Sequence, residues 1–423
     1  MAKKYLKRIF DDELEEVLDM IGAVLIVGPK WCGKTTTAEQ HAKSVLKLQD
    51  PDNRENYLKT ADIKPSLLLK GEKPRLIDEW QVAPVLWDAV RTSVDELEGD
   101  GLYILTGSTS VDESKIMHSG TGRIHRLLMR PMSLFESGES NGKISILDLF
   151  KNPNLNIDGI ESELTIEELI YASCRGGWPE SLNKKNKKGE LFVAKSYLQN
   201  ICESDVSTVD GIKKDPKKVK ALLHSYSRNI STLTKNTTIL NDIKSNNEDI
   251  SEPTFYSYMD ALKRLFVIDE IPAWSPNIRS KTAIRTSYKK AVIDPSIAVA
   301  ALNLSPESLL EDLNTFGFIF ENLCVRDLSV YTSSEGGMVH HYRDRDGLEV
   351  DCVLKLENED YALIEFKLGS REIEEGARHL LELEDLILKK GKKTPKFLAI
   401  VTGGKFAYTR EDRVKILPIG TLR

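Results

Sequence analysis

The sequence has few cysteines, no long apolar run and no excess of positive charge. Its five cysteines are scattered without the paired spacing of a disulfide framework or a zinc site, which favours a reducing, cytoplasmic environment. No segment approaches the roughly 20 apolar residues that span a bilayer, and no apolar signal core follows the basic N-terminus, so we expect no membrane partner. The net charge of −6 argues against a surface that is basic throughout, as nucleic-acid-binding surfaces often are.

Length and composition are those of an ordinary multidomain globular protein. The 423 residues, of which 40% are hydrophobic and 29% charged, are enough for several domains with separate cores. The charge is unevenly distributed, because residues 211–292 contain 15 lysines and arginines but only 8 acidic residues. This segment is therefore the first candidate for contact with nucleic acid.

A glycine-rich segment is the strongest motif of the chain. It fits G-x-x-x-x-G-K-[ST], follows an apolar strand predicted over residues 23–27 and precedes a helix predicted over residues 35–48. Glycines allow a tight turn whose N–H groups point at phosphates, and the helix N-terminus adds positive potential. The residues expected at the nucleotide are Gly28, Pro29, Lys30, Trp31, Cys32, Gly33, Lys34, Thr35 and Thr36. The segment predicts ATP binding.

Two acidic residues and two hydroxyl residues extend this site. Lys34 is predicted to reach the outer phosphates, and Thr35 and Asp78 to hold Mg²⁺. Asp78 and Glu79 end an apolar strand about 45 residues further on, and Glu79 suits the polarisation of the attacking water. Thr106 and Ser108 follow a third apolar strand and are candidates for contact with the outer phosphate, with helix capping as the alternative. This set predicts an ATPase.

An arginine that stabilises the transition state is expected as well. Arg123 follows a glycine pair and is the first choice, acting in its own chain or in a neighbour, and Arg130 is a weaker candidate. The alternative is a surface salt bridge. Alternation of strands and helices around the site predicts a three-layer α/β sandwich with the ligand at the carboxyl ends of the strands.

The middle of the chain is predicted to contain a winged helix-turn-helix. Helices are expected at residues 217–229, 234–244 and 252–265, followed by a strand and a basic loop. The third helix would offer Thr254, Ser257 and Lys263 to a major groove. The basic residues of the wing are Arg279, Lys281, Arg285, Lys289 and Lys290. Such a domain also serves as a rigid connector between other domains, so both readings stay open.

The C-terminal part contains a second group of acidic residues. Glu321 lies on a predicted amphipathic helix, Asp351 on a strand, and Glu365 and Lys367 on one face of the next strand. In this order and spacing the residues match the pattern of PD-(D/E)xK nucleases. There, the three carboxylates would hold Mg²⁺ or Mn²⁺ and the lysine would orient or activate water. The alternative is an exposed hairpin with alternating charges.

Several segments together resemble predicted AAA-superfamily ATPases of bacteria and archaea whose C-terminal domain, of unknown function, is related to PD-(D/E)xK nucleases. They are the phosphate loop and residues 119–123, 130–136, 175–179, 294–296, 320–323 and 364–369. The resemblance implies an AAA-type ATPase core, placed at 1–150, and a restriction-endonuclease-like α/β domain, placed at 301–423. Between them, the residue patterns described above predict a helical connector at 151–210 and a winged-helix-like domain at 211–300.

Two main hypotheses of function follow. In the first, a Mg²⁺-dependent ATPase controls a metal-dependent nuclease that acts on DNA. In the second, ATP drives a molecular switch whose C-terminal domain only binds nucleic acid or a partner protein. A role in toxin–antitoxin or phage-defence systems and assembly into a homo-oligomer are further hypotheses that the sequence leaves open.

Overall fold

The structure is a computed structural model that describes residues 5–107, 120–245, 250–276 and 287–423. The predicted site residue Ser108 and the wing residues Arg279, Lys281 and Arg285 lie outside the described residues. The chain divides into two compact units. The first unit comprises Met1–Pro131, Asp205–Lys213 and Ala261–Phe266, and the second comprises Met132–Ser204, Lys214–Asp260 and Val267–Arg423.

Helices occur throughout both units. The described α-helices are α1 (Ile9–Leu18), α2 (Lys34–His41), α3 (Arg54–Ile63), α4 (Val85–Leu97), α5 (Leu134–Ser137), α6 (Ile146–Lys151), α7 (Ile166–Arg175), α8 (Pro179–Leu182), α9 (Lys187–Asn200), α10 (Val206–Thr208), α11 (Pro216–Arg228), α12 (Asn236–Ser245), α13 (Glu252–Arg264), α14 (Pro295–Ala301), α15 (Pro306–Glu311), α16 (Leu313–Tyr331) and α17 (Ile373–Lys389). Short 3₁₀ segments lie at Pro65–Leu67, Trp80–Val82, Ser333–Glu335, Ser370–Glu372 and Ile419–Thr421, and a π-helix at Ile201–Asp205.

The strands form one sheet in each unit. They are β1 (Ala23–Val27), β2 (Ser44–Lys47), β3 (Arg75–Asp78), β4 (Tyr103–Thr106), β5 (Ile124–Leu128), β6 (Met338–Arg343), β7 (Glu349–Lys355), β8 (Tyr361–Lys367), β9 (Leu398–Thr402), β10 (Tyr408–Thr409) and β11 (Lys415–Pro418). The first sheet has the order β2-β3-β4-β1-β5 and the second has the order β10-β11-β9-β8-β7-β6.

The first unit is a three-layer α/β sandwich, as the sequence predicted. All its paired strands run parallel, and alternate residues of β1 enter different cores. Leu25 joins a core with residues of α3 and α4, whereas Val24 and Ile26 join a core with residues of α1 and α2. Helices therefore cover both faces of the sheet, and the carboxyl ends of its strands are left to line a site.

One boundary in this unit was predicted wrongly. The helix expected over residues 35–48 ends at His41, and the chain then forms the edge strand β2. β2 pairs in parallel with β3, and Leu46 is buried in the core. The absence of helix-breaking residues is only a weak signal for a helix. Pairing of β2 with β3 and burial of Leu46 outweigh it here.

The second unit contains a mixed sheet. β6, β7 and β8 are antiparallel neighbours, whereas β8, β9 and β11 run parallel. α17 packs its apolar residues on β7, β8 and β9, and α16 lies against β6 and β8. This confirms the predicted helix around Glu321 and the hairpin that carries Asp351, Glu365 and Lys367.

The region predicted as a winged helix has its helices near the expected positions. α11, α12 and α13 confirm the three helical segments, and antiparallel bridges join Ile268 to Val292 and Ile271 to Lys289. The basic wing is wrong at Lys289 and Lys290, however, because these residues are only 1% and 3% exposed. Each is buried because acidic side chains pair with it, so neither is available to a phosphate backbone.

Candidate functional site

The phosphate loop connects β1 to the N-terminus of α2. Gly28 has a φ of 146°, and a Cβ at this position would lie 2.2 Å from the carbonyl oxygen of Met129. Gly33 has a φ of 105° and immediately precedes α2. Both positions therefore require glycine, since larger residues rarely adopt this backbone conformation. The resulting turn points the helix N-terminus toward the loop, where it favours an anion.

Lys34 is held over the loop by backbone carbonyls. Its side chain is almost buried, and Nζ donates to the carbonyl oxygens of Gly28 at 3.0 Å and Pro29 at 2.8 Å. An ammonium group at this position can exchange these neutral acceptors for phosphate oxygens, which form stronger, charge-assisted hydrogen bonds. Contact of Lys34 with the outer phosphates stays a prediction.

Thr35, Asp78 and Thr106 come together because of the strand order. β4 lies between β1 and β3, so the carboxyl ends of the three strands are neighbours. The hydroxyls of Thr35 and Thr106 each donate to Oδ1 of Asp78, both at 2.7 Å. Hydroxyl and carboxylate oxygens are the ligands that Mg²⁺ prefers, and Mg²⁺ usually takes few protein ligands besides water and phosphate. Thr35 and Asp78 therefore fit a magnesium ion beside the phosphate loop.

Glu79 has a backbone conformation that is unusual for its residue type. Its φ of 56° and ψ of 48° lie in the left-handed region, at the junction of β3 and the following 3₁₀ turn. Its N–H donates to the hydroxyl of Thr106 at 3.3 Å, and its carboxylate accepts a hydrogen bond from the side-chain amide of Gln81. Strained conformations of this kind concentrate at functional sites. Thr106 thus connects Asp78 to Glu79, a bridging role that the sequence did not reveal.

The remaining residues of the loop differ in their surroundings. Lys30 pairs with Asp205 at 2.7 Å, and Trp31 is 46% exposed. Cys32 is buried, with its thiol 3.5 Å from the Met129 carbonyl oxygen, and Thr36 is exposed on the first turn of α2. Lys30 and Cys32 therefore both contact segments that are distant in the sequence.

Arg8 is a residue of this site that sequence reasoning missed. Its guanidinium is buried and donates to the carbonyl oxygens of Cys32 and Arg130, both at 2.9 Å. It thereby joins the phosphate loop to the segment after β5. No motif marks Arg8, because its role depends on contacts across 24 and 122 residues of sequence.

The structure does not bring Arg123 to the phosphate loop of its own chain. Arg123 precedes β5, its carbonyl oxygen accepts from the N–H of Ala23, and its side chain pairs with Asp95 at 2.8 Å. It therefore lies at the amino end of the sheet. A five-residue strand is roughly 16 Å long, and this length separates Arg123 from the carboxyl end where the phosphate loop lies. Arg130 follows the carboxyl end of β5, on the side of the loop, and is half-buried.

In the second unit, Glu321, Asp351, Glu365, Lys367 and Lys289 form a group that we call the acid cluster. Lys289 Nζ lies 2.5 Å from Oε1 of Glu321 and 3.0 Å from Oδ1 of Asp351. Lys367 Nζ lies 2.9 Å from Oε2 of Glu365. The structure thus brings together all four predicted residues and adds Lys289, which the sequence analysis placed in an exposed wing.

Burial and close charges shift the protonation of the acid cluster. Burial raises the pKa of Glu321 to about 8, although the Lys289 ammonium opposes this rise. Burial and the charge of Asp351 raise the pKa of Glu365. Burial disfavours ionisation of Asp351 too, but Lys289 and Lys367 hold its pKa below the ordinary value. Asp351 is therefore the carboxylate that carries the charge opposite Lys289.

The carboxylates of the acid cluster contact lysines and a backbone N–H. Among the residues that the structure describes, no three His, Cys, Asp or Glu side chains are grouped so that they could hold a metal ion. Oδ1 of Asp351 contacts Lys289, and its Oδ2 accepts from the N–H of Phe366 at 3.1 Å. Glu365 contacts Lys367 and has His379 Nδ1 at 3.8 Å from Oε1.

Comparison with known families identifies one domain of known type. Residues 21–137, which include the phosphate loop and Asp78, match the AAA domain. Residues 166–308 and 316–422 match two different domains of unknown function. The AAA match and the geometry of the loop support ATP binding by the first unit.

Similar proteins do not add an established role. Uncharacterised proteins of Mycobacterium bovis and Mycobacterium tuberculosis are each 22% identical over 412 residues, covering 96% of this chain and 82% of theirs. A Walker-type ATPase of Pyrococcus abyssi is 15% identical with a TM-score of 0.43, covering 70% of this chain and 96% of its own. A DNA replication initiation factor is 13% identical with a TM-score of 0.24, covering 61% and 92% respectively. Within the described residues, no helix is long and apolar enough to cross a membrane.

Proposed function

We propose that the first unit hydrolyses ATP in a Mg²⁺-dependent reaction. The observation that carries this proposal is the convergence of Thr35, Asp78 and Thr106, with both hydroxyls 2.7 Å from Oδ1 of Asp78, beside the phosphate loop. Neighbouring backbone N–H groups, the α2 N-terminus and Lys34 supply positive potential, while Thr35 and Asp78 supply hard oxygen ligands.

The residues of the site have separate roles in this proposal. Lys34 leaves the carbonyl oxygens of Gly28 and Pro29 and binds the outer phosphates. Thr35 and Asp78 would hold Mg²⁺, which when bound neutralises charge on the phosphate oxygens. Glu79 accepts a hydrogen bond from the attacking water and polarises it. The hydrogen bonds that Thr106 makes to the carboxylate of Asp78 and the N–H of Glu79 fix these two residues relative to each other, so Thr106 is a positioning residue.

Removal of magnesium provides the test of this proposal. Phosphate release from ATP should stop when EDTA is added and return when Mg²⁺ is restored in excess. Binding of a fluorescent ATP analogue, followed in parallel, separates loss of affinity from loss of turnover. Phosphate release that persists at the same rate in EDTA would contradict the proposed role of Thr35 and Asp78.

Thr106→Val should slow turnover without abolishing ATP binding. The change keeps the side-chain volume but removes the hydroxyl that contacts Asp78 and Glu79. A hydrogen bond to a charged group is worth about 1.5–3 kcal/mol, which corresponds to a fall in kcat of about 10- to 100-fold if the bond matters fully in the transition state. Steady-state phosphate release measures the change, and Thr106→Ser is the matched control. Equal kcat values for Thr106→Val and wild type would exclude the positioning role.

We propose that Arg123 acts only on a neighbouring copy of the chain. It lies at the end of the sheet opposite the phosphate loop, and its partner Asp95 is exposed. An arginine of this type contributes about 10³-fold or more to turnover. Arg123→Ala and Lys34→Ala should each be inactive alone, whereas their mixture should recover phosphate release. A mixture that stays inactive would contradict action on a neighbouring copy, and an Arg123→Ala protein with the wild-type rate would show that Arg123 has no catalytic role.

For the second unit, we propose an ATP-controlled module that binds nucleic acid or a partner protein. The contacts of Lys289 with Glu321 and Asp351 favour this reading over metal-dependent cleavage of DNA. Incubation of the full chain with plasmid DNA, Mg²⁺ or Mn²⁺, with and without ATP, distinguishes the two. Cleavage by wild type that is lost in Lys367→Ala would establish a nuclease instead.

A further inference from the structure

Lys289 lies at the centre of the acid cluster, where a metal-dependent site would need its cation. Its side chain is 1% exposed, and the side chains of Glu321 and Asp351, which it contacts, are 13% and 16% exposed. A buried ammonium needs such partners because an unpaired charge in the interior is very costly. The contacts with Glu321 and Asp351 therefore account for the burial of the Lys289 ammonium.

The backbone holds Lys289 in this position. Its N–H and carbonyl oxygen form two hydrogen bonds of 2.9 Å with Ile271, which makes an antiparallel bridge. Two residues earlier, the carbonyl oxygen of Ser287 lies 3.1 Å from Nε2 of His341, a fully buried side chain on β6. The backbone of Lys289 is thus fixed, and withdrawing its ammonium would break the contacts of Nζ with Glu321 and Asp351.

Both oxygens of Asp351 and one oxygen of Glu365, which a divalent cation would need as ligands, already contact other groups. Asp351 uses Oδ1 for Lys289 and Oδ2 for the N–H of Phe366, and Glu365 uses Oε2 for Lys367. Mg²⁺ requires ligands at about 2.0–2.1 Å in near-octahedral geometry. Such an ion at the position of the ammonium would first have to expel Lys289 from the interior.

We propose that Lys289 is the permanent cation of the acid cluster, so that Glu321, Asp351 and Glu365 bind no divalent metal ion in this protein. The cluster is then a structural element that fastens the segment around Lys289 to α16 and β7. This inference deepens the proposed role of the second unit as a non-cleaving module and rests on that proposal. It is tested by Mn²⁺ binding and not by cleavage of DNA, so its failure is distinguishable from failure of that proposal.

The test compares Mn²⁺ binding by the full chain and two variants, in the absence of nucleotide. Lys289→Met removes the central ammonium with little change in volume. Lys290→Met is the matched control, because Lys290 is also buried but pairs with Glu270 and Asn236. Calorimetric titration and the melting temperature with and without MnCl₂ are measured for all three proteins.

Both methionine variants should melt below wild type. Only Lys289→Met should bind one additional Mn²⁺ and melt several degrees higher in its presence, because a ligand that binds only the folded state stabilises it. That gain should disappear in Lys289→Met combined with Asp351→Asn. Absence of the gain in a folded Lys289→Met protein would overturn the proposal.

The wild-type titration decides the question even if Lys289→Met does not fold. Wild type and Asp351→Asn should give the same Mn²⁺ isotherm, since Asp351 takes no metal. A Mn²⁺ ion that wild type binds and Asp351→Asn does not would overturn the proposal.

Discussion

Glu79→Gln is expected to abolish ATP turnover and to preserve ATP binding. The amide keeps the size of the side chain but cannot act as the carboxylate that polarises water. Loss of a general base typically lowers kcat by about 10²- to 10⁴-fold. Binding should persist because the phosphate contacts come from the loop and Lys34, and the Mg²⁺ ligands are Thr35 and Asp78. Phosphate release and equilibrium binding of a fluorescent ATP analogue, measured on one preparation, check both halves of the expectation.

A neighbouring substitution provides the control for this experiment. Gln81→Ala removes the amide that donates to the Glu79 carboxylate but leaves the carboxylate itself. Its kcat should fall less than that of Glu79→Gln. Undiminished hydrolysis by Glu79→Gln would show that Glu79 does not polarise the attacking water and that another residue does so.

Lys34→Ala is expected to abolish detectable ATP binding. The ammonium is almost buried, and its neutral partners in the structure are the carbonyl oxygens of Gly28 and Pro29. Truncating one member of a buried, hydrogen-bonded charge pair costs about 2–5 kcal/mol or more, which weakens binding by roughly 30- to 4,000-fold. Calorimetric titration with ATP and Mg²⁺ measures this loss.

Lys43→Ala is the matched control, because Lys43 is an exposed lysine near the opposite end of the same helix–strand unit. It should bind ATP as wild type does. A melting temperature for Lys34→Ala close to that of wild type would show that the loss is local. ATP affinity within twofold of wild type would contradict the role of Lys34.

The nucleotide site could be predicted from sequence because its chemistry depends on local order. A strand, a glycine loop and a helix N-terminus follow one another along the chain, and the fold confirmed this arrangement. The position of Asp78 near the phosphate loop could be predicted because the carboxyl ends of parallel strands lie at one edge of the sheet. The meeting of Thr106 with Asp78 and Glu79 depends on β4 lying between β1 and β3, which no local pattern indicates.

Contacts between distant segments were beyond the sequence analysis. Arg8 binds carbonyl groups in the phosphate loop and after β5, although a basic N-terminal residue has no pattern that predicts this. Lys289 was misassigned because two consecutive lysines usually indicate an exposed loop. Their burial depends on acidic partners such as Glu270, Glu321 and Asp351, the last two of which lie 32 and 62 residues further on.

The most direct test of the account is phosphate release from ATP by purified wild-type and Lys34→Ala proteins, side by side in Mg²⁺. Wild type should release phosphate steadily, and Lys34→Ala should release none above background. Equal rates in the two proteins, or no release by wild type that binds ATP, would contradict hydrolysis at this site.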